Sequence, residues 1–220
     1  MGPRRTAVGI ASVAVTGVLL AVASATGQPA KLPPPSVGRS IDIGLVSGTV
    51  TVTPPGRRLF TLGVQDRNIP VGSLIDTTRG RVDLRSASPP GSAAARAGKV
   101  QDANFFDGAF TVRQSHATPV AQIKLAGGQI GKCTATTAGV PHRTPPHDVL
   151  RLLRASGPGK FSTEGRYAAA TVRGTVWLTE DFCDGTLVQV TRGVVTVRNL
   201  VTHATVTVTG GHSYFAAAPG

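Results

Sequence analysis

Ala168-Ala-Ala-Thr-Val-Arg-Gly-Thr-Val-Trp177 is the stretch whose reading decides the fold. Small and β-branched residues alternate through it, and one glycine, Gly174, breaks the run. β-Branched side chains lose rotamer freedom in a helix and fit a pleated surface, so the composition favours a strand. The same mix of valine, threonine and leucine, interrupted by glycine, extends from Tyr167 to Tyr214 and reads as a series of short antiparallel strands.

Downstream of it, Thr186-Leu-Val-Gln-Val-Thr191 alternates, Arg192-Gly193 is expected to turn, and residues 194–198 alternate again. Thr205-Val-Thr-Val-Thr209 follows, with valine facing in and threonine out. Residues 181–185 are expected to form a turn that holds Cys183. Upstream, segments 48–53, 58–62, 81–85, 100–114 and 122–126 predict further strands. Turns are expected at Pro54-Pro-Gly56 and Thr78-Arg-Gly80, a bend at Gly108 and a stop at Gly127-Gly128.

Two connections separate these runs. Residues 86–98 are small, polar and rich in Pro, Gly and Ala, the composition of an exposed loop. Residues 133–159 form the second. Within it Asp148-Val-Leu-Arg-Leu-Leu-Arg154 has an N-cap and a Gly157 stop suited to one or two helical turns, although its apolar residues fit a strand equally well. Strands at intervals of about 8–12 residues with glycine turns define an all-β class: an antiparallel sandwich, a jelly roll or a β-solenoid. The domain is expected over 41–216, as β-rich halves 41–126 and 160–216 joined by a loop region 127–159.

The chain of 220 residues carries 23 Lys and Arg against 11 Asp and Glu, a net charge of +12. No Lys/Arg-rich block exists and aromatic residues are sparse, which argues against nucleic acid as partner. A basic exported protein associates instead with anionic envelope polymers. With few aromatics, the core is expected to be aliphatic. Arg4-Arg5, the uncharged apolar run 7–23 and Ala23-Ser-Ala25 have the form of a secretory signal peptide over 1–25, touching the membrane only in transit. An uncleaved anchor is the rival, given the length of the run. Residues 26–40, with their prolines, read as an extended linker. Export places Cys133 and Cys183, the only cysteines, in an oxidising compartment and predicts a disulfide between them.

The segment from Gly44 to Phe215 resembles a FecR-like domain. The first half carries the likeness in Ser47-Gly-Thr-Val-Thr-Val52, Ile69-Pro-Val-Gly-Ser-Leu-Ile-Asp-Thr77 and Gly80-Arg-Val-Asp-Leu84. The second half carries it in the Arg173-Gly174-Thr175 box, in Asp184-Gly185-Thr186 and in Gly193-Val-Val-Thr-Val197. It is similar to the secreted, cysteine-paired version found in actinobacterial envelope proteins. The resemblance implies an all-β extracytoplasmic domain, and a non-enzymatic role is expected of this chain. Family members with an anti-sigma segment relay signals across the inner membrane; nothing before the apolar run here is long enough for one, so the module is expected to transfer rather than the pathway.

Candidate chemistry is thin. Five histidines, at 116, 142, 147, 203 and 212, lack the close His-x-His pair of a cupin metal site. Glu180, Asp181 and Asp184 lack the repeated acidic spacing of a calcium loop. No nucleophile elbow, P-loop or dinucleotide fingerprint occurs. Tyr167, Trp177 and Tyr214 are expected to pack at the core and rim. Gly174, Gly185, Gly193 and Gly210 are expected to supply turns or bulges, and Arg173 to pair with an acidic neighbour such as Asp181 or Asp184. The expected function is an exported, cofactor-free binding or structural module in the cell envelope, contacting an envelope protein or an anionic envelope polymer. The alternative is an extracytoplasmic sensor acting through a membrane partner.

Overall fold

The computed structural model describes residues 1–2, 32–133 and 149–219. The described residues of the unit that begins at Leu32 form thirteen strands. They are β1 (Ser40–Thr53), β2 (Phe60–Thr61), β3 (Arg67–Pro70), β4 (Leu74–Ala87), β5 (Val100–Phe106), β6 (Ala109–Arg113), β7 (Ala121–Ala126), β8 (Arg151–Glu164), β9 (Ala168–Asp181), β10 (Gly185–Arg192), β11 (Val194–Asn199), β12 (Thr205–Thr209) and β13 (Ser213–Ala217). Helix among the described residues is one turn, α1 (Ala93–Arg96), whose first turn is capped by Ser92 Oγ accepting from Ala95 N–H, and a 3-10 turn at Ile130–Lys132.

Four strands, β1, β4, β8 and β9, run 14 residues each, longer than the short strands the glycine spacing suggests. Three of them change their buried face midway. In β4 the inward residues are Ile75 and Thr77, then Val82, Leu84 and Ser86; in β9 they are Ala168, Ala170 and Val172, then Thr175, Trp177 and Thr179. One extra residue in a period-two pattern moves the buried set to the other parity, and a bulge supplies that residue. Gly48 in β1 and Gly174 in β9, both with positive φ, mark such points. Thr78-Arg-Gly80, expected to turn, therefore lies within continuous β4, with Gly80 opposite Gly48. Arg192-Gly193 likewise turns no corner: β10 and β11 follow one another along the same strand, β9.

The thirteen strands form one hydrogen-bonded network rather than two separately bonded sheets. Its centre is a closed circuit. β4 pairs with β5, β5 with β8, β8 with β7, β7 with β6, and β6 with β4 again. The step from β7 to β8 is the parallel one, Ala121 beside Phe161 through Lys124 beside Glu164. Closure of this kind makes a small barrel. Phe105 sits inside it with its ring centroid 5.2 Å from Phe110, 5.5 Å from Phe161 and 6.2 Å from Trp177. The aliphatic core expected from composition is thus organised around four aromatics, since rings fill a narrow barrel with few side chains.

Two further expectations are corrected. Asp148-to-Arg154 does not give helical turns where it is described: Arg151–Glu164 is strand, because Leu153 and Ala155 are buried at period two and β9 pairs along the whole of β8. The connecting region is shorter than 127–159 for the same reason. The apolar run 7–23, the cleavage motif 23–25 and the first part of the linker lie outside the described residues. Among the described residues no helix is long and apolar enough to cross a membrane.

Candidate ligand-binding face

The structure brings most of the motif residues together where β9 meets β10 and β11. Gly193 has φ +94° and lies against Gly174 and Thr175: a Cβ there would come within 2.7 Å of Thr175 Cγ2 and 3.0 Å of the Gly174 carbonyl. Gly185 lies under the Phe215 ring, where a Cβ would also meet the Ala216 carbonyl oxygen at 2.6 Å. Thr175 is buried, and its hydroxyl has no hydrogen-bond partner among the described residues. Asp184 accepts from the Ala218 N–H through its main-chain carbonyl, 2.7 Å. Cys133 and Cys183 are bonded, with 5.3 Å between their Cα atoms, so the segment after β7 is tied to the β9–β10 turn. A disulfide fits an oxidising, extracytoplasmic setting. These residues hold the fold. Arg173 differs, being exposed.

The expected pairing of Arg173 with Asp181 does not form. Asp181 points inward and is fully buried, with Arg151 Nε donating to one carboxylate oxygen at 2.7 Å. Arg166 N–H and Thr186 Oγ1 donate to the other, at 2.8 and 2.6 Å. Tyr167 N–H in turn donates to Thr186 Oγ1 at 3.0 Å. A buried carboxylate needs such a set of donors. Spacing along the chain cannot choose Arg151 over Arg173, because it says nothing about which of them faces Asp181. A second buried chain runs from Trp177 Nε1 to Thr163 Oγ1, 3.1 Å, and on to Thr179 Oγ1, 3.0 Å.

Two outer faces differ in how their charges are arranged. On the first, formed by β3, β1, β4 and β5, one rung reads Asn68–Asp42–Arg85–Asp102 and the next Gly44–Asp83–Asn104. Arg85 pairs with Asp66 and, at 3.1 Å, with Asp83; Asn68 donates to Asp42 at 2.6 Å. Burial pushes the Asp42 and Asp83 carboxyls above the usual carboxylate range, partly countered by Asn68 and Arg85 at Asp42 and by Arg85 at Asp83. The hydrogen bond to Asp66 holds Arg85 higher still.

The second face is formed by β7, β8, β9, β11 and β12. One rung across all five strands reads Gln122–Ser162–Thr171–Thr196–Thr207, and the adjacent one Lys124–Glu164–Ala169–Arg198–Thr205. On the other side of the hydroxyl rung, Lys160 stands directly opposite Arg173. Lys160, Arg173, Thr196, Arg198, Thr205 and Thr207 are exposed. The acid on these rungs, Glu164, is held by Lys124 at 2.8 Å. Lys160, Arg173 and Arg198 make no ion pair among the described residues. In sequence these cations are far apart, so a search for basic blocks misses them; the strand register gathers them.

Other candidates yield less. His116, His203 and His212 are exposed and separate, while His142 and His147 lie outside the described residues. No group of metal-ligating side chains occurs among the described residues. Burial raises the Glu180 carboxyl, countered by Arg154. Tyr214 accepts from Asn199 at 3.1 Å, and Tyr167 lies under the Arg166 guanidinium. A cavity of about 260 Å³ opens between the Asp107–Gly108 bend and the start of β8, but Asp107 is paired with Arg154 at 3.2 Å and the rest of the lining is largely backbone and apolar. No protein-family model, characterised protein or solved structure matches the chain.

Proposed function

We propose that the chain is an exported, non-enzymatic FecR-like β domain that serves as a binding module in the cell envelope. The observation that carries this reading is the segregation of charge on a disulfide-tied barrel: unpaired cations among hydroxyls on one sheet face, carboxylates around Arg85 on another. The Arg173-Gly174-Thr175, Asp184-Gly185 and Gly193 motifs support membership of the family as residues that shape the β9–β10–β11 junction. Localisation and retention test it. The mature chain should fractionate outside the cytoplasm, migrate differently with and without reductant, and co-sediment with isolated envelope material in low salt. A chain found reduced in the cytoplasm would overturn the reading. One retained at the membrane by an uncleaved N-terminus would favour the sensor role instead.

A further inference from the structure

We infer that the outer face of β7–β8–β9–β11–β12 is the docking surface for an anionic polysaccharide, with Lys160, Arg173 and Arg198 as its principal charge contacts. This rests on the proposed role in the envelope and assigns it a surface and a ligand chemistry. The first argument is the Lys160–Arg173 rung. Directly opposed residues in an antiparallel pair have Cβ atoms about 4.5–5.5 Å apart, and like charges there repel. No carboxylate relieves them among the described residues, whereas Arg85 on the Asp-rich face sits beside Asp66 and Asp83. An anion lying across the rung relieves both at once.

The second argument is what lies between the charges. Ser162, Thr171, Thr196 and Thr207 put a row of hydroxyls across the sheet, each both donor and acceptor, at the roughly 4.8 Å spacing of neighbouring strands. Hydroxyl-rich polymer chains match such a row; Arg173 and Arg198 flank it on either side and suit carboxylate or other oxyanion substituents. Competing polyanions fit less well. Binding of single-stranded nucleic acid uses aromatic platforms, and these rungs carry none. Peripheral attachment to a bilayer uses an apolar wedge beside the basic residues, and the apolar outer positions here are two alanines, Ala126 and Ala169, and Val194.

The test uses the mature chain and polygalacturonate immobilised on a sensor, with neutral dextran as blank. Wild type is expected to bind polygalacturonate with an affinity that falls steeply with salt. The triple variant K160Q/R173Q/R198Q should bind at least about tenfold more weakly, as loss of three contacts of modest strength requires. The variant R57Q/R58Q/R79Q, which removes the same charge from exposed positions outside this face, should stay within about twofold. T196V/T207V, which keeps charge and β-propensity, should weaken binding by several-fold. Thermal melts and circular dichroism confirm that each variant folds. Equal losses for the two charge variants, no loss for the hydroxyl variant, or tighter binding to anionic vesicles or to an oligonucleotide than to polygalacturonate would each overturn the inference. Retention on whole envelope material by K160Q/R173Q/R198Q at wild-type strength would overturn it too, while leaving the envelope role intact.

Discussion

The strand pairs β1–β4 and β8–β9 are built alike and finished differently. Each pairs two strands of 14 residues, and each is bent by glycine near its middle. In the first, the bend is sealed: a Cβ on Gly48 would run into the Arg79 carbonyl and the Gly80 Cα, and farther along the pair Asp66 and Asp83 share Arg85. In the second, Gly174 has open space around its Cα, and the neighbouring rung sets Lys160 against Arg173 with no acid between. The same backbone device thus serves closure in one place and leaves a charged surface standing in the other. A position whose charges are answered internally reports on folding; one whose charges are left unanswered reports on a partner.

The largest expected effect concerns the covalent tie, which anchors the turn that leaves β9 and has no counterpart at the first pair. Replacing Cys133 and Cys183 by serine frees a separation of 50 residues and should cost about 4 kcal/mol on the chain-entropy estimate. Denaturant melts of the oxidised wild type and the double variant measure it. A loss under about 1 kcal/mol would mean that the ladder around β9, not the sulfur bridge, fixes the β9–β10 turn.

The next comparison sets the two bends against each other. Both glycines adopt positive φ, +70° at Gly48 and +66° at Gly174, so alanine carries a conformational penalty of about 1–2 kcal/mol at either. Only Gly48→Ala adds a backbone collision, which brings its expected cost to about 3 kcal/mol or more. Gly174→Ala should cost about 1 kcal/mol. Equal losses by urea melts would show that the second bend is as tightly sealed as the first.

How much of this was legible in the sequence follows from what each signal depends on. Val/Thr alternation around Trp177 and at 205–209 depends on local geometry, and it placed strands correctly. The cysteine pair needed only a count and a compartment. Thr78-Arg-Gly80 and Arg192-Gly193 were misread because a glycine with freedom of φ serves a turn and a bulge alike, and the strand alongside decides which. Residues 148–154 fit both periods, and only β9 settles Arg151–Arg154 as strand. Barrel closure rests on the parallel β7–β8 pair, across a long connection that no local pattern spans. Phe105, Phe110, Phe161 and Trp177 meet for the same reason, and so do Lys160, Arg173 and Arg198 on the surface. The composition argument that dismissed a basic patch was sound for contiguous blocks and blind to register.

The smallest effects sharpen the contrast most. Asp83 faces Arg85, Asp102 and Asp66, and burial raises its carboxyl above 3.8. A raised acid contributes its full stability below the unfolded value, and that contribution is lost as pH rises through the folded value, because ionisation is then forced on a partly desolvated group. Asp83→Asn keeps the neutral form at every pH. It should raise Tm by about 1 °C at pH 7 relative to wild type, with the difference closing as pH falls toward 3.8. Arg85 keeps Asp66, so no new orphan is made. On the other face Lys160→Gln should also raise Tm slightly, but for a different cause: it removes like-charge repulsion at an exposed rung. That gain should vanish in about 0.5 M salt, which screens charges more than a few ångströms apart. One substitution is thus sensitive to protons and the other to ions. If Lys160→Gln instead lowers Tm in low salt, the rung is already relieved within the folded chain, and the contrast between the two strand pairs collapses.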